Sequence, residues 1–200
     1  VSPMCMYSAK DGLVDDFHLV HYGARAMGGA GLIFTEMTDV SADARITPGC
    51  AGMYAPQHVA AWKRIVDHVH AHSNAKFALQ LAHAGRKASA NRPWEGDDHI
   101  AEDDPRGWPT ISPSAVAFGA HLPKVPRAMT LDDIARVRAD FVAAARRARD
   151  AGFEWLELHF AHGYLGQSFF SVHANQRTDA YGGSFENRSR FLLETLAAVR

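Results

Sequence analysis

Apolar residues fall into two alternating rhythms along this chain. Between Phe17 and Met27 they recur at helical spacing, and Gly28 and Gly29 punctuate the end of that stretch. The run Ala30 to Glu36 that follows is short, apolar and rich in β-formers, so the pattern predicts a helix, a stop and a buried strand. It then repeats. Val59, Trp62, Ile65, Val66 and Val69 share one face of a helix predicted over His58 to His72, and Lys76 to Ala82 reads as a second strand. Thr130 as N-cap and Asp133 in the third helical position open an Ala- and Arg-rich helix that runs to about Ala151 and closes on Gly152. Phe153 to His159 is the third complete strand.

Helices alternating with short apolar strands predict parallel βα units, because a strand buried on both faces has no polar side to show. With Ser2-Pro-Met taken as the tail of one more strand, the chain holds about four such units, against eight in a closed barrel of roughly 250 residues. The prediction is an α/β fold, a partial (βα)8 TIM barrel of roughly the first four units, with residues 1–200 as one half-domain. A doubly wound open sheet shares this periodicity. No G-x-G-x-x-G turn follows a strand, which counts against its dinucleotide-binding form. The stretch 86–129, rich in Pro, Gly, Asp and Ser, is too long for a plain connector and is expected to form an excursion over one face. The chain opens on Val1, and its last helical pattern, with Phe191, Leu192, Thr195, Leu196 and Val199 on one side, reaches Arg200 without a terminator. It reads as a segment of a longer protein.

Composition narrows the function classes. With 47% apolar and 22% charged residues the chain is a globular one with a sizeable core. Its 21 basic and 22 acidic residues nearly cancel and form no long basic run, so neither nucleic acid nor an anionic membrane is an expected partner. No apolar run approaches the eighteen or so residues of a membrane span. Two cysteines, Cys5 and Cys50, are too few for a disulfide scaffold, which makes the reducing cytoplasm the default location. Twelve histidines are an excess for this length. His68, His70 and His72 account for part of it as solvent-facing residues of one helix.

In parallel α/β folds the chemistry sits at the carboxyl ends of the strands. Four segments there collect polar side chains: 3–7 (Pro-Met-Cys-Met-Tyr), 35–38 (Thr-Glu-Met-Thr), 80–87 (Gln-Leu-Ala-His-Ala-Gly-Arg-Lys) and 159–164 (His-Phe-Ala-His-Gly-Tyr). His159 and His162 can face one cavity only if the strand ends near Phe160 and the chain bends, which Gly163 eases. Such a pair suits two N–H donors gripping a substrate oxygen where negative charge develops. A core histidine beside a loop histidine fits the spacing equally well, and no ligand pattern completes a metal site. Gln80 interrupts an apolar strand, where its amide needs partners, either backbone groups or a flat heterocycle such as flavin. Cys5 reads either as a reactive thiol or as a small buried hydrophobe, with no basic neighbour in sequence to activate it. Tyr7 and Tyr164 are either hydrogen-bond donors or interior rings. Arg86 and Lys87 are either a phosphate or Gln80 clamp or a solvated pair.

The segments 2–7, 80–87 and 159–165, together with 177–188 (Arg-Thr-Asp-Ala-Tyr-Gly-Gly-Ser-Phe-Glu-Asn-Arg), resemble in order the Old Yellow Enzyme family of flavin oxidoreductases, in its Cys-containing bacterial subclass. The segments 35–41 and 45–50 are similar, more particularly, to the oxidoreductase half of bifunctional salicylyl-CoA or 2-aminobenzoyl-CoA monooxygenases. The resemblance implies a (βα)8 barrel that holds FMN, with NAD(P)H as reductant and an enone or an aryl-CoA thioester as small-molecule substrate. It implies that Ser2, Pro3, Met4 and Cys5 line the flavin, with Met37 beside it and Gln80 on its pyrimidine edge. His159 and His162 would bind the substrate oxygen, Tyr164 would protonate the α-carbon and Tyr7 would contact substrate. Met37 stands where many members carry a small residue, and 166–175 departs from the usual stretch before the Arg-Thr-Asp motif. A noncatalytic barrel that has lost its flavin chemistry is the remaining alternative. Barrels of this type often form homo-oligomers, but no surface in the sequence marks an interface. The later strands of the family's barrel, with their phosphate-binding loops, lie beyond Arg200, so residues 1–200 alone are expected to hold FMN weakly or not at all.

Overall fold

The computed structural model describes residues 1–200. Helix α1 (Asp16–Met27) leads into β1 (Leu32–Asp39), followed by a two-residue β2 (Ala51–Gly52), α2 (Pro56–His72) and β3 (Lys76–Ala82). After the excursion, which contains β4 (Ile111–Ser112) and β5 (Arg127–Ala128), come α3 (Leu131–Ala151), β6 (Trp155–Leu158), α4 (Leu165–Phe170) and α5 (Phe185–Val199). No helix is long and apolar enough to cross a membrane.

The main sheet runs β2-β1-β3-β6, all parallel. Strands β1, β3 and β6 follow sequence order without reversal, and right-handed crossovers then place every connecting helix on the same face. The helices accordingly pack in series, α1 on α2, α2 on α3 and α3 on α5. A doubly wound sheet needs a reversal of strand order, so the barrel reading holds.

Local signals locate several element ends. Thr130 accepts from the Asp133 amide at 3.1 Å while the Asp133 carboxylate accepts from the Thr130 amide at 2.8 Å, closing a reciprocal cap. Gly152 ends α3 at φ +95°, the left-handed conformation for which glycine carries no Cβ penalty. Other boundaries move. β1 extends to Asp39, past the predicted end at Glu36, because Met37, Thr38 and Asp39 continue the ladder against Gln80, Leu81 and Ala82 of β3. The first strand's trace is Val1 rather than Ser2 to Met4: its amino group bonds the Leu32 carbonyl at 2.7 Å, and its carbonyl accepts from the Phe34 amide at 3.0 Å. Of the helix-face histidines, His68 is half-buried, packed close to Gly23.

Alternation along β3 separates two environments. Phe77, Leu79 and Leu81 join the main core beneath the helices, with Tyr22, Trp62, Phe141 and Phe153. The opposite face carries Gln80 and Ala82 toward a smaller cluster around Met37, Cys50 and Leu122, against which Cys5, Tyr7, Trp108 and Tyr164 pack. The excursion contributes to this cluster: Leu122 from it joins Met37 there, and Trp108 packs against it.

Candidate active site

The loop 2–7 and the ends of β1, β3 and β6 open on one cavity of about 470 Å³. Cys5, Met37, Gln80, His159, His162 and Tyr164 line it, together with Ser2 and Pro3. Two expected residues fall elsewhere. The Met4 side chain is 59% exposed and does not line the cavity, since alternation along the loop turns it away from Pro3 and Cys5. Tyr7 stands beside the cavity, packed on the Met37 cluster and edge-on to Trp94 at 6.2 Å.

The bend that brings the histidines together lies at His162 and Gly163, both left-handed, at φ +54° and +79°. The two imidazoles meet edge to face at 5.1 Å, and Tyr164 stands edge-on to His159 at 4.9 Å. Nδ1 of His159 accepts from the Ala161 amide at 3.4 Å, which leaves the proton on Nε2, free to donate. Burial, and then the nearby His162, push the His159 pKa down, so the ring is neutral at pH 7. The Tyr164 hydroxyl makes no hydrogen bond within the chain, and burial raises its pKa above the ordinary phenol value, which keeps it protonated. Lys87 lies over its ring at 4.7 Å and donates to the His162 carbonyl at 3.1 Å, pinning the bend.

Gln80 is all but buried, and its Nε2 donates to Glu157 at 2.9 Å across the β3–β6 pair. Its carbonyl oxygen accepts from nothing within the chain, so the amide faces the cavity with an open acceptor. A ring edge carrying an N–H fits that acceptor, and the residues present suit a flavin. Glu157 escaped the sequence reading, although a carboxylate two residues before His159 in an apolar strand signals a shared face. Burial and then the charge of Glu36 push the Cys5 thiol up to about 12, so it stays a protonated, weakly polar contact rather than a nucleophile. Arg86 neither clamps Gln80 nor faces an open phosphate site: its guanidinium holds the carbonyls of Val116 and Ala117, at 3.2 and 3.0 Å, and so ties down the excursion. No third His, Cys, Asp or Glu joins the two histidines in a metal-binding cluster.

His83, just past β3, is fully buried, and burial pushes its pKa down to about 4. Nδ1 accepts from the Gly85 amide at 3.0 Å, and Nε2 has no partner. The folded protein therefore keeps this ring neutral, whereas the unfolded chain protonates it below the ordinary histidine value of 6.5. Stability contributed by the neutral ring is lost as pH falls from about 6.5 to about 4, by roughly 3 kcal/mol. Urea denaturation of the complete protein across this range measures it. The His83→Gln variant is expected to flatten the dependence, and an unchanged slope assigns it to other groups.

Residues 1–200 match the NADH:flavin oxidoreductase / NADH oxidase family. The chain is 46% identical over its whole length to an NADH:flavin oxidoreductase of Gibberella zeae, covering 49% of that protein, and 44% identical to an NADPH dehydrogenase of Bacillus cytotoxicus, covering 53% of it. Among solved structures it superposes in full on 53% of morphinone reductase, with a TM-score of 0.86 and 35% identity. Over 98% of its length it also matches half of an Old Yellow Enzyme from a Pichia species, with a TM-score of 0.84 and 34% identity. The chain thus spans about half the length of the relatives it matches. Three of its four ordered motifs, 2–7, 80–87 and 159–165, meet at one cavity on a parallel half-barrel, its whole length fits the family, and it belongs to the NADH:flavin oxidoreductase / NADH oxidase family, that of Old Yellow Enzyme.

Proposed function

We propose that the chain is the N-terminal half of a single flavin-binding barrel, in an FMN-dependent NAD(P)H oxidoreductase that reduces activated C=C bonds. The observation that carries this reading is the convergence of Cys5, Gln80, His159, His162 and Tyr164 on one cavity from segments far apart in sequence. When bound, FMN supplies a hydride, drawn from NAD(P)H and delivered to the β-carbon of an activated alkene. The chain's own residues bind and orient. Ser2, Pro3, Cys5 and Met37 border the ring and Gln80 presents its open acceptor to it. His159 and His162 hold the substrate oxygen, where negative charge accumulates, and Tyr164 supplies the α-carbon proton. Trp155, on the same strand face as Glu157 and His159, is 59% exposed, which suits a strand edge that further barrel strands would cover. The names of the relatives lend no support to the aryl-CoA or noncatalytic alternatives. With its low cysteine count, a reducing compartment such as the cytoplasm remains the expected location.

The complete protein, purified and made anaerobic, is expected to show flavin absorbance that bleaches with NADPH and returns on adding an enone. Return with aryl-CoA thioesters alone would instead favour the monooxygenase fusion, and absence of both absorbance and bleaching overturns the enzyme reading. Residues 1–200 expressed alone are expected to lose FMN on gel filtration. Stoichiometric retention would show that the half-barrel suffices.

A further inference from the structure

Glu36 is a buried carboxylate that the proposed chemistry does not use. It sits in an irregular stretch of β1, where the register against β3 shifts between Phe34 and Met37. Its amide consequently leaves the ladder and donates to the Tyr22 hydroxyl at 2.8 Å. Its side chain makes two further contacts. One oxygen accepts from the Met6 amide at 3.0 Å, and the other faces Nε2 of His18 at 3.2 Å, an ion-pair distance whose alignment falls short of a hydrogen bond. His18 is itself fully buried and anchored by Asp15, with Nδ1 3.2 Å from the Asp15 amide and 3.1 Å from its carboxylate. When Nδ1 accepts from that amide, or when the ring is protonated and Nδ1 donates to that carboxylate, Nε2 carries a hydrogen toward Glu36.

Met6 lies between Cys5, which lines the cavity, and Tyr7, which stands beside it. Tyr7 is held at φ +52°, an unfavourable conformation for a residue with a Cβ, so the turn needs outside support. Arg92 supplies part of it by donating from Nε to the Tyr7 carbonyl at 3.1 Å, and Gly49 passes so close that a Cβ there would stand 2.2 Å from that same oxygen. Glu36 supplies the contact on the Met6 side.

We infer that Glu36, backed by His18, is a positioning residue of the redox site, whose carboxylate carries the Met6 amide and so sets where Cys5 and Tyr7 stand against the bound ring. The inference rests on the flavin reading above. Glu36→Asp keeps the charge and withdraws the carboxylate by one methylene, so any effect reports position rather than field.

In the complete, FMN-loaded protein, Glu36→Asp is expected to slow turnover of an enone under anaerobic NADPH by about tenfold, or about 1.4 kcal/mol. Glu36→Gln, which keeps an oxygen for the Met6 amide, is expected to recover to within about threefold. Made on a Cys5→Ala, Tyr7→Phe background, Glu36→Asp is expected to cost less than about twofold, since the groups it positions are gone. A tenfold loss that persists on that background, or unchanged turnover with only a lowered melting temperature, overturns the inference and leaves Glu36 a structural group. If Glu36→Asp does not fold, His18→Gln takes its place in the cycle with the same two readings. A complete protein that holds no flavin overturns the functional reading and this inference together, whereas additivity in a yellow, active enzyme overturns this inference alone.

Discussion

Replacing His159 by alanine in the complete protein is expected to lower kcat/KM for an enone by about 10²- to 10³-fold, the cost of removing one preorganised donor to a developing oxyanion. The neutral ring offers Nε2–H without first having to lose or gain a proton, because burial depresses its pKa and Nδ1 is taken by the Ala161 amide. Alanine would also remove the surface against which His162 and Tyr164 both pack, at 5.1 and 4.9 Å. His162→Ala, at an exposed position held by its backbone contact with Lys87, is expected to cost less, since it removes a donor without unseating the other rings. Steady-state kinetics of the two variants, each checked for bound flavin by absorbance, tests the order. If His159→Ala retains flavin and loses less than about tenfold, the pair does not hold the reacting oxygen.

What the sequence made legible were features settled within a few residues. The reciprocal cap of Thr130 and Asp133 and the left-handed Gly152 are local contacts, and both ends of α3 fall where the spacing places them. β3 was readable for a similar reason, with an apolar run that starts and stops with its ladder. The end of β1 was not. Thr38 and Asp39 look like the start of a polar loop, yet they are buried with Thr35 and Glu36, and part of the accommodation of these polar residues comes from far along the chain: Thr35 Oγ1 accepts from the Gln80 amide, and Glu36 meets Met6, His18 and Tyr22. The irregular β1 register that directs Glu36 depends on β3, forty residues later, and no local pattern announces it. The same division holds in the site. The motifs carried His159, His162, Tyr164 and Gln80 by resemblance, whereas Glu157 emerged only once cross-strand pairing placed it opposite Gln80.

Tyr164→Phe should separate the two halves of the reaction more sharply than any other substitution in the cavity. The change removes one oxygen that bonds nothing within the chain, so the ring's contacts with His159 and Lys87 survive and the fold loses little. What disappears is the proposed proton donor, and loss of a positioned general acid costs about 10²- to 10⁴-fold. Reduction of an enone places a hydrogen on each of two carbons, and the α-carbon takes its proton slowly without a positioned donor. Reduction of a quinone ends with protons on oxygens that solvent can supply. The variant is therefore expected to lose about 10²-fold or more in turnover of an enone, with bleaching by NADPH and reoxidation by a quinone within about threefold of the parent. The pH profile should agree: because burial raises the Tyr164 pKa, ionisation does not remove the donor through the ordinary phenol range, and enone turnover should show no alkaline loss there from this group. Anaerobic stopped-flow with both oxidants checks the split, and equal loss with enone and quinone would move Tyr164 from proton donor to a role in holding substrate.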